Sequence, residues 1–333
     1  MEQNGTGRGR EALAHQRRLL DDAALAGRGL APGAPADGKE AAVGWLRQEA
    51  FAWLSALRAA AEAGAHRMVT EVAEAVHWAF DCWPDADLWD EVFTLGREAA
   101  RALGDPRGEA AFLNYAARHH LTVHGSDERA RICAAEALLC AQRAGDAEQT
   151  AWGRLHVAVA LSRTDTDLAV AQADSASAEF ERLHHLEGTL RALATTARAL
   201  SGAGRHDEAR PYLRRLCALC SGPVDDRLRP LTTSTLAWAC VLDGEALAST
   251  GQWEDAERVY RQALADLEPT AASTAEVLLC LGLAGLLRRR PEGGAPQGAA
   301  LLRRALNAAR EANDVQGMTR VLSALDDWAV IAR

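Results

Sequence analysis

The chain is poor in the residues on which most other fold classes are built. Aromatic side chains make up 5% of its 333 residues, although 48% are hydrophobic. Ala and Leu therefore carry most of the apolar content, and close helix-on-helix packing is the natural way to bury it. Runs of β-branched residues bounded by turn residues are nearly absent, which excludes a chain built on strands. No stretch approaches the roughly 18 uninterrupted apolar residues of a membrane span, and the N-terminal region has no apolar core of an export signal. A cytoplasmic protein is expected. Lysine is almost missing: Lys39 is the only one, a bias that reports a GC-rich genome rather than a function. The formal net charge of −9 gives no general attraction to nucleic acid or an anionic membrane, so neither is expected as a direct partner. Seven cysteines, an odd number, lack the dense spacing of a disulfide scaffold and are all expected as reduced thiols.

What is present is repetition. A chain of this length suits two globular domains or one elongated array whose units pack only on their neighbours, and the pattern favours the array. Residues 1–40 stand apart: a Gly-rich frayed tail over Met1–Arg10, a helix over Glu11–Ala26, and a loop over Gly27–Gly38 with Pro32 and Pro35. Residues 41–105 read as the first helices of the array. Trp45, Leu46, Phe51, Trp53, Leu54 and Leu57 give one segment, ending near Gly64, a broad buried face.

Over 106–333 four joints recur, around Gly104-Asp105, Gly145-Asp146, His184-His185 and Asn313-Asp314. Gly104, Gly145 and Asn313 stand where a helix ends in a left-handed residue, and Asp105, Asp146 and Asp314 stand where the next helix is capped. Gly108, Gln149, Gly188 and Gly317 are equivalent, and their spacing gives a unit of roughly 40 residues with intermediate joints near Pro230 and Pro269. A tighter turn divides each unit, clearest at Gly202–Ala209 and Thr250–Ala256. Gly244, Gly251, Trp253, Ala256, Tyr260, Ala263 and Leu264 match the tetratricopeptide (TPR) register. The small residues let two helices touch, while Trp253 and Tyr260 fill the space between pairs. TPR units are nearer 34 residues and HEAT or armadillo units nearer 40; the small and aromatic positions favour TPR, with the extra length placed at the joints. The Gly- and Pro-rich stretch Arg290–Pro296 reads as a lengthened loop. The fold class expected is all-α, a right-handed superhelical array of antiparallel helix pairs.

The segment from Val43 to Gly64, with its Trp45-Leu46 and Trp53-Leu54 pairs, resembles the start of the C-terminal TPR region of actinobacterial NB-ARC (STAND-class) regulators, the group that includes antibiotic-regulatory proteins. Leu103–Ala110, Arg17-Arg-Leu-Leu20 and Leu30-Ala-Pro-Gly33 extend the resemblance over nearly the whole chain. It implies a sensing or partner-binding arm. The family's ATPase is missing, because the only lysine stands in no Gly-x-x-x-x-Gly-Lys-Ser/Thr loop, and no basic helix-turn-helix is recognisable.

Candidate chemistry is sparse. Cys217-x-x-Cys220 lies in a predicted helix with no second pair, so it reads as two packed thiols, as do Cys133 and Cys140. His119, His120 and His124, with Asp127 or Glu128, have partial metal-ligand spacing, against which stands the plainer reading of polar residues near a helix end. His184 and His185 read likewise. Gly5–Gly9 follows no strand and is no phosphate cradle. Arg288, Arg289, Arg290, Arg303 and Arg304 read as a solvated helix end rather than an anion patch. No catalytic constellation stands at a motif-defined spacing, and no cofactor or metal is expected. By analogy with TPR groove positions the binding residues expected are Asn114, Arg118, Arg154, Arg191, Arg198, Trp238 and Glu245; the arginines fit an acidic peptide or a carboxylate terminus. Three functions stay open: a protein- or peptide-binding module, a ligand- or peptide-responsive sensor, and an atypical helical enzyme.

Overall fold

The computed structural model of the chain describes residues 3–30, 38–81, 83, 85–124, 127–222, 229–267, 273–290, 295–311 and 314–331. Among them are sixteen α-helices and no strand. The chain divides into two compact units, Met1–Leu161 and Ser162–Arg333. The first holds α1 (Gln3–Arg28), α2 (Lys39–Gln48), α3 (Ala50–Glu62), α4 (His66–Val76), a 3₁₀ turn (His77–Asp81), α5 (Ala86–Ala102), α6 (Pro106–His119), a π turn (His120–His124), α7 (Asp127–Ala144) and α8 (Ala147–Leu161). The second holds α9 (Thr166–Arg182), α10 (Leu186–Gly202), α11 (His206–Cys220), α12 (Arg229–Ser249), α13 (Trp253–Asp266), α14 (Ser273–Arg289), α15 (Ala295–Glu311) and α16 (Val315–Ile331).

Within each unit most helices pack on their neighbours in sequence, and the first helix of a pair also packs on the first helix of the next. In the first unit α6 touches α8; in the second α10 touches α12, α12 touches α14, and α14 touches α16. This is the contact pattern of stacked helix pairs, in which the first helices line up as one layer. The chain is an all-α repeat protein of antiparallel helix pairs, as its periodicity predicts.

The joints explain why the pairs form. Gly104 and Gly145 have φ of 67° and 65°, a left-handed backbone that costs glycine nothing and ends the preceding helix. The next residue then caps the helix that follows. Gly108 N donates to Asp105 at 3.0 Å, Gln149 N to Asp146 at 2.8 Å, and Gly317 N to Asp314 at 2.7 Å. At the fourth joint His184 takes the left-handed place, with φ of 53°, and the ring of His185 accepts from Gly188 N at 3.0 Å. The four residues equivalent by spacing are thus equivalent in structure.

The TPR register is equally legible. Ala256 and Tyr260 are fully buried in α13, and Gly244 of α12 and Gly282 of α14 lie flat against the Tyr260 ring from two sides, where a Cβ on either would overlap it. The Tyr260 hydroxyl, enclosed by this packing, donates to the carbonyl of Val241 at 3.0 Å. Phe180 against Gly188 and Phe112 against Gly96 repeat the same ring-on-glycine contact. Each buried ring contributes about 1.5–3 kcal/mol of hydrophobic stabilisation, and only a missing side chain lets it reach the facing backbone.

Four expectations are corrected. The N-terminal helix is not confined to Glu11–Ala26: α1 runs from Gln3 to Arg28 and includes Gly5, Gly7, Gly9 and Gly27. Gly27 is no loop residue, because its Cα lies against the Ala75 carbonyl of α4, too close for any side chain; residues 31–37 of the expected loop lie outside the described ones. The single helical segment read up to Gly64 is broken at Glu49 into α2 and α3, where the Trp53 indole donates to the Leu46 carbonyl at 2.9 Å. Phe51, expected in the buried face, is 83% exposed, since it lies one position off the stripe that buries Trp53, Leu54 and Leu57. The length beyond a standard TPR unit is carried in the helices: α9 and α10 have 17 residues each, joined by Leu183–His185 alone. Asn313, Pro269 and residues 291–294 lie outside the described residues, and Pro230 falls in the first turn of α12.

Candidate functional site

In the second unit α10 is enclosed on every side but one. Gly188, Thr189, Leu190, Ala192, Leu193, Thr195, Thr196, Ala197, Ala199 and Leu200 are buried. What remains is a strip at helical spacing formed by Glu187, Arg191, Ala194 and Arg198. A helix in such a position has a partner on three faces and a single open one. The same face of α12 carries Ser234, Trp238 and Glu245, with Ser234 and Glu245 exposed and Trp238 half-buried against the core of α10 and α11. On α14 it carries Thr274, Leu278, Leu281, Gly285 and Arg288. Because α10, α12 and α14 are successive neighbours, the three strips lie side by side.

Four of the expected binding residues are therefore on this surface: Arg191, Arg198, Trp238 and Glu245. Arg191 is held by Glu187 one turn earlier at 2.8 Å, an i,i+4 pair that fixes its direction along the strip and offsets part of its charge. Arg198 stands exposed one face-repeat further on. The surface is basic along α10, aromatic at its centre on α12 and apolar on α14. The apolar positions Leu278 and Leu281 escaped the sequence reading, although Thr274, Leu278, Leu281, Gly285 and Arg288 already stand at one-face spacing.

The three expected residues of the first unit are placed differently. Asn114, expected on an open groove, is 3% exposed. Its amide donates to both the backbone carbonyl and the side-chain oxygen of Gln149 at 3.0 Å, and its own oxygen faces His156 Nδ1 at 3.3 Å. It ties α6 to α8, and the reason is steric: α6 buries nearly all of its circumference, so a polar residue there must find its partners inside. Arg118 is half-buried, with its guanidinium over the Phe80 ring at 5.3 Å. Arg154 is half-buried on α8.

His119 and His120 stand at the end of α6, as the plainer reading has it, and are buried there. His119 is fully buried, its Nε2 lying 3.0 Å from the Ala86 carbonyl and 3.3 Å from Asp90. His120 Nδ1 is 3.9 Å from the same carboxylate. These contacts bind α6 and the π turn to α5. Among the described residues no group of three or more His, Cys, Asp or Glu side chains is arranged to hold a metal ion; the His124 side chain lies outside them.

Cys217 and Cys220 sit in α11, and the thiol that Cys217 meets is that of Cys240 on α12; the hydrogen bond between them, and then burial, raise Cys240 well above the ordinary thiol range. Burial pushes Cys220 up to about 12. Cys133 and Cys140 are raised by burial as well, so these four behave as packed hydrophobes. Two arginines of the basic patch are held in ion pairs: Arg290 reaches Glu257 at 2.8 Å and Glu254 at 3.2 Å, and Arg304 reaches Glu276 at 2.5 Å within the α14–α15 pair. The Arg290 contacts belong to a set between successive pairs that also includes Arg107 with Asp146 at 2.9 Å and Arg215 with Glu181 at 2.7 Å. A second polar tie unseen in the sequence is Asp174, which accepts from Thr196 at 3.2 Å and from the Tyr212 hydroxyl at 2.9 Å. No helix among the described residues is long and apolar enough to cross a membrane.

No protein-family model matches the chain, and no curated protein does. Among solved structures, BtubC (BKLC) from P. vanneervenii is similar at 14% identity over 65% of this chain and 92% of that one, with a TM-score of 0.50. A Rap protein complexed with competence and sporulation factor shares 14% identity over 84% of this chain and 87% of that one, with a TM-score of 0.48. A circular tandem repeat protein with novel repeat topology shares 15% identity over 96% of each chain, with a TM-score of 0.27. The likeness to BtubC bears on the fold alone.

Proposed function

We propose that the chain is a binding module whose ligand is a peptide segment of another protein, taken along the adjoining strips of α10, α12 and α14. The observation that carries this reading is the burial pattern of α10, which leaves Glu187, Arg191, Ala194 and Arg198 as its one less covered strip. Side chains on such a strip are within reach of a partner. Trp238 supplies a half-buried aromatic anchor of the kind that dominates binding energy. Arg191 and Arg198 favour carboxylates, by paired N–H donation, while Leu278 and Leu281 offer apolar contact. The occupant is accordingly an acidic segment that also carries an apolar side chain. The sequence resemblance to NB-ARC regulators supports a regulatory setting for that binding.

The reading is tested by fluorescence anisotropy of the full chain against peptide sets that differ only in charge and in one apolar position. Acidic peptides with a Leu or Phe are expected to bind, with affinity reduced at least tenfold by Arg191→Glu/Arg198→Glu and by Trp238→Ala, and falling with salt. Equal binding to the double variant, or a preference for basic peptides, would overturn it.

A further inference from the structure

The outer face of α7 in the first unit carries an exposed stripe that the fold does not use. Ile132 is 47% exposed and Leu139 is 63% exposed. With Ala135 between them they follow i, i+3, i+7 spacing and form one apolar line. Glu128 stands at the N-terminal end of that line and Arg143 at the C-terminal end, with side chains 67% and 65% exposed. The stripe is symmetric. A two-fold axis passing between Ala135 and Glu136, perpendicular to the helix, carries Ile132 onto Leu139 and Glu128 onto Arg143. Beside Leu139 lies a shallow, open groove bordered by Leu139, Gln142 and Arg143.

We infer that α7 is a self-docking face, whose partner is the α7 of a second copy of this chain lying antiparallel across it. In that arrangement Ile132 of one copy enters the groove beside Leu139 of the other, and each Glu128 meets the other copy's Arg143. Both contacts occur twice, as an isologous interface requires. Charge selects the orientation: a parallel pairing would set Glu128 against Glu128 and Arg143 against Arg143, whereas the antiparallel one pairs opposite signs at both ends. Within its own chain Glu128 is held by Arg131 at 2.7 Å and Arg143 lies 3.7 Å from Glu109, so each charge is already directed rather than freely rotating. One helix face buries less than the roughly 800 Å² per partner of a standard interface, and the association is weak, with a dissociation constant above about 1 μM.

Sedimentation of the full chain between about 1 and 500 μM tests this directly. The weight-average mass is expected to rise from 35.6 kDa toward twice that value. Leu139→Glu is expected to hold it at the monomer value with an unchanged melting curve. Glu128→Arg should weaken association at least tenfold, and Glu128→Arg/Arg143→Glu should bring it back to within about threefold of wild type. Should either charge variant fold poorly, Ala135→Cys decides: beside the axis the new thiol meets its own copy and cross-links under mild oxidation into a covalent dimer, while Ala144→Cys and the wild type do not. A wild-type chain that stays monomeric throughout, a dimer indifferent to Leu139→Glu, a double variant without recovery, or an Ala144→Cys variant that cross-links as readily as the Ala135→Cys variant would each overturn the inference.

Discussion

Tyr260 is held between two side chains that do not exist. With Gly244 on one side and Gly282 on the other, its ring fills the space between two pairs while its hydroxyl, which burial raises well above the usual tyrosine range, stays neutral and bonded to Val241. Gly244→Ala is expected to force the ring or the helix aside and to lower unfolding free energy by about 1–3 kcal/mol, read from the urea midpoint at unchanged slope. Asn114→Leu removes donors from two oxygens of Gln149 and an acceptor from His156 inside the core, and should cost a similar amount, about 1–3 kcal/mol. Tyr212 gives a pH signature. Burial, and then its bond to Asp174, push its phenol up to about 12 from an ordinary value of 10.0. Its contribution to stability is therefore complete below pH 10.0 and is lost as pH rises toward about 12. Tyr212→Phe should flatten the alkaline limb of stability against pH in that window, and an unchanged limb would remove Tyr212 as its source.

At the scale of elements, the joints do two things at once. Asp146 caps α8 through Gln149 N and also receives Arg107 from the first turn of α6 at 2.9 Å, whereas Asp165 caps α9 through Leu168 N at 3.1 Å and serves as cap alone in that role. Replacing a cap by Ala costs about 0.5–2 kcal/mol. Asp146→Ala is expected in the upper half of that range and Asp165→Ala in the lower, with only the Asp146 variant losing part of its effect in about 0.5 M salt, where exposed charges are screened. Thermal melts at two ionic strengths separate the two. Equal, salt-independent losses would mean that the Arg107 contact contributes nothing, the common outcome for exposed pairs.

In the whole molecule, stability is distributed along the chain rather than gathered in one core. The hydrophobic clusters form separately, one over α1 to α6, one between α6 and α7 around Leu113, and others in the second unit around Leu190, Tyr260 and Leu302. Arrays of this kind lose structure locally before they lose it globally. Hydrogen exchange followed by mass spectrometry is expected to show Gly244→Ala raising exchange chiefly in α12, α13 and α14, and Asn114→Leu chiefly in α6 and α8. A uniform rise over all helices in either variant would contradict a distributed core.

The repeat unit and its joints were determined by the sequence itself, because capping and left-handed closure are local. Asp105, Gly145 and Asp314 act within a few residues of themselves, and the 3.6-residue period that buries Ala256, Tyr260 and Ala263 needs no knowledge of the partner helix. The tertiary structure alone decided what depends on a neighbour. It buried Asn114, because α6 is surrounded, and left Phe51 in solvent, because none of the described helices covers that side of α3. It brought Gly27 under α4, turned Arg290 toward two glutamates, and left open one face of α10. The same helical period describes a face that meets another helix and one that meets water, so a covered face could be told from an open one only once the neighbouring helices were in place.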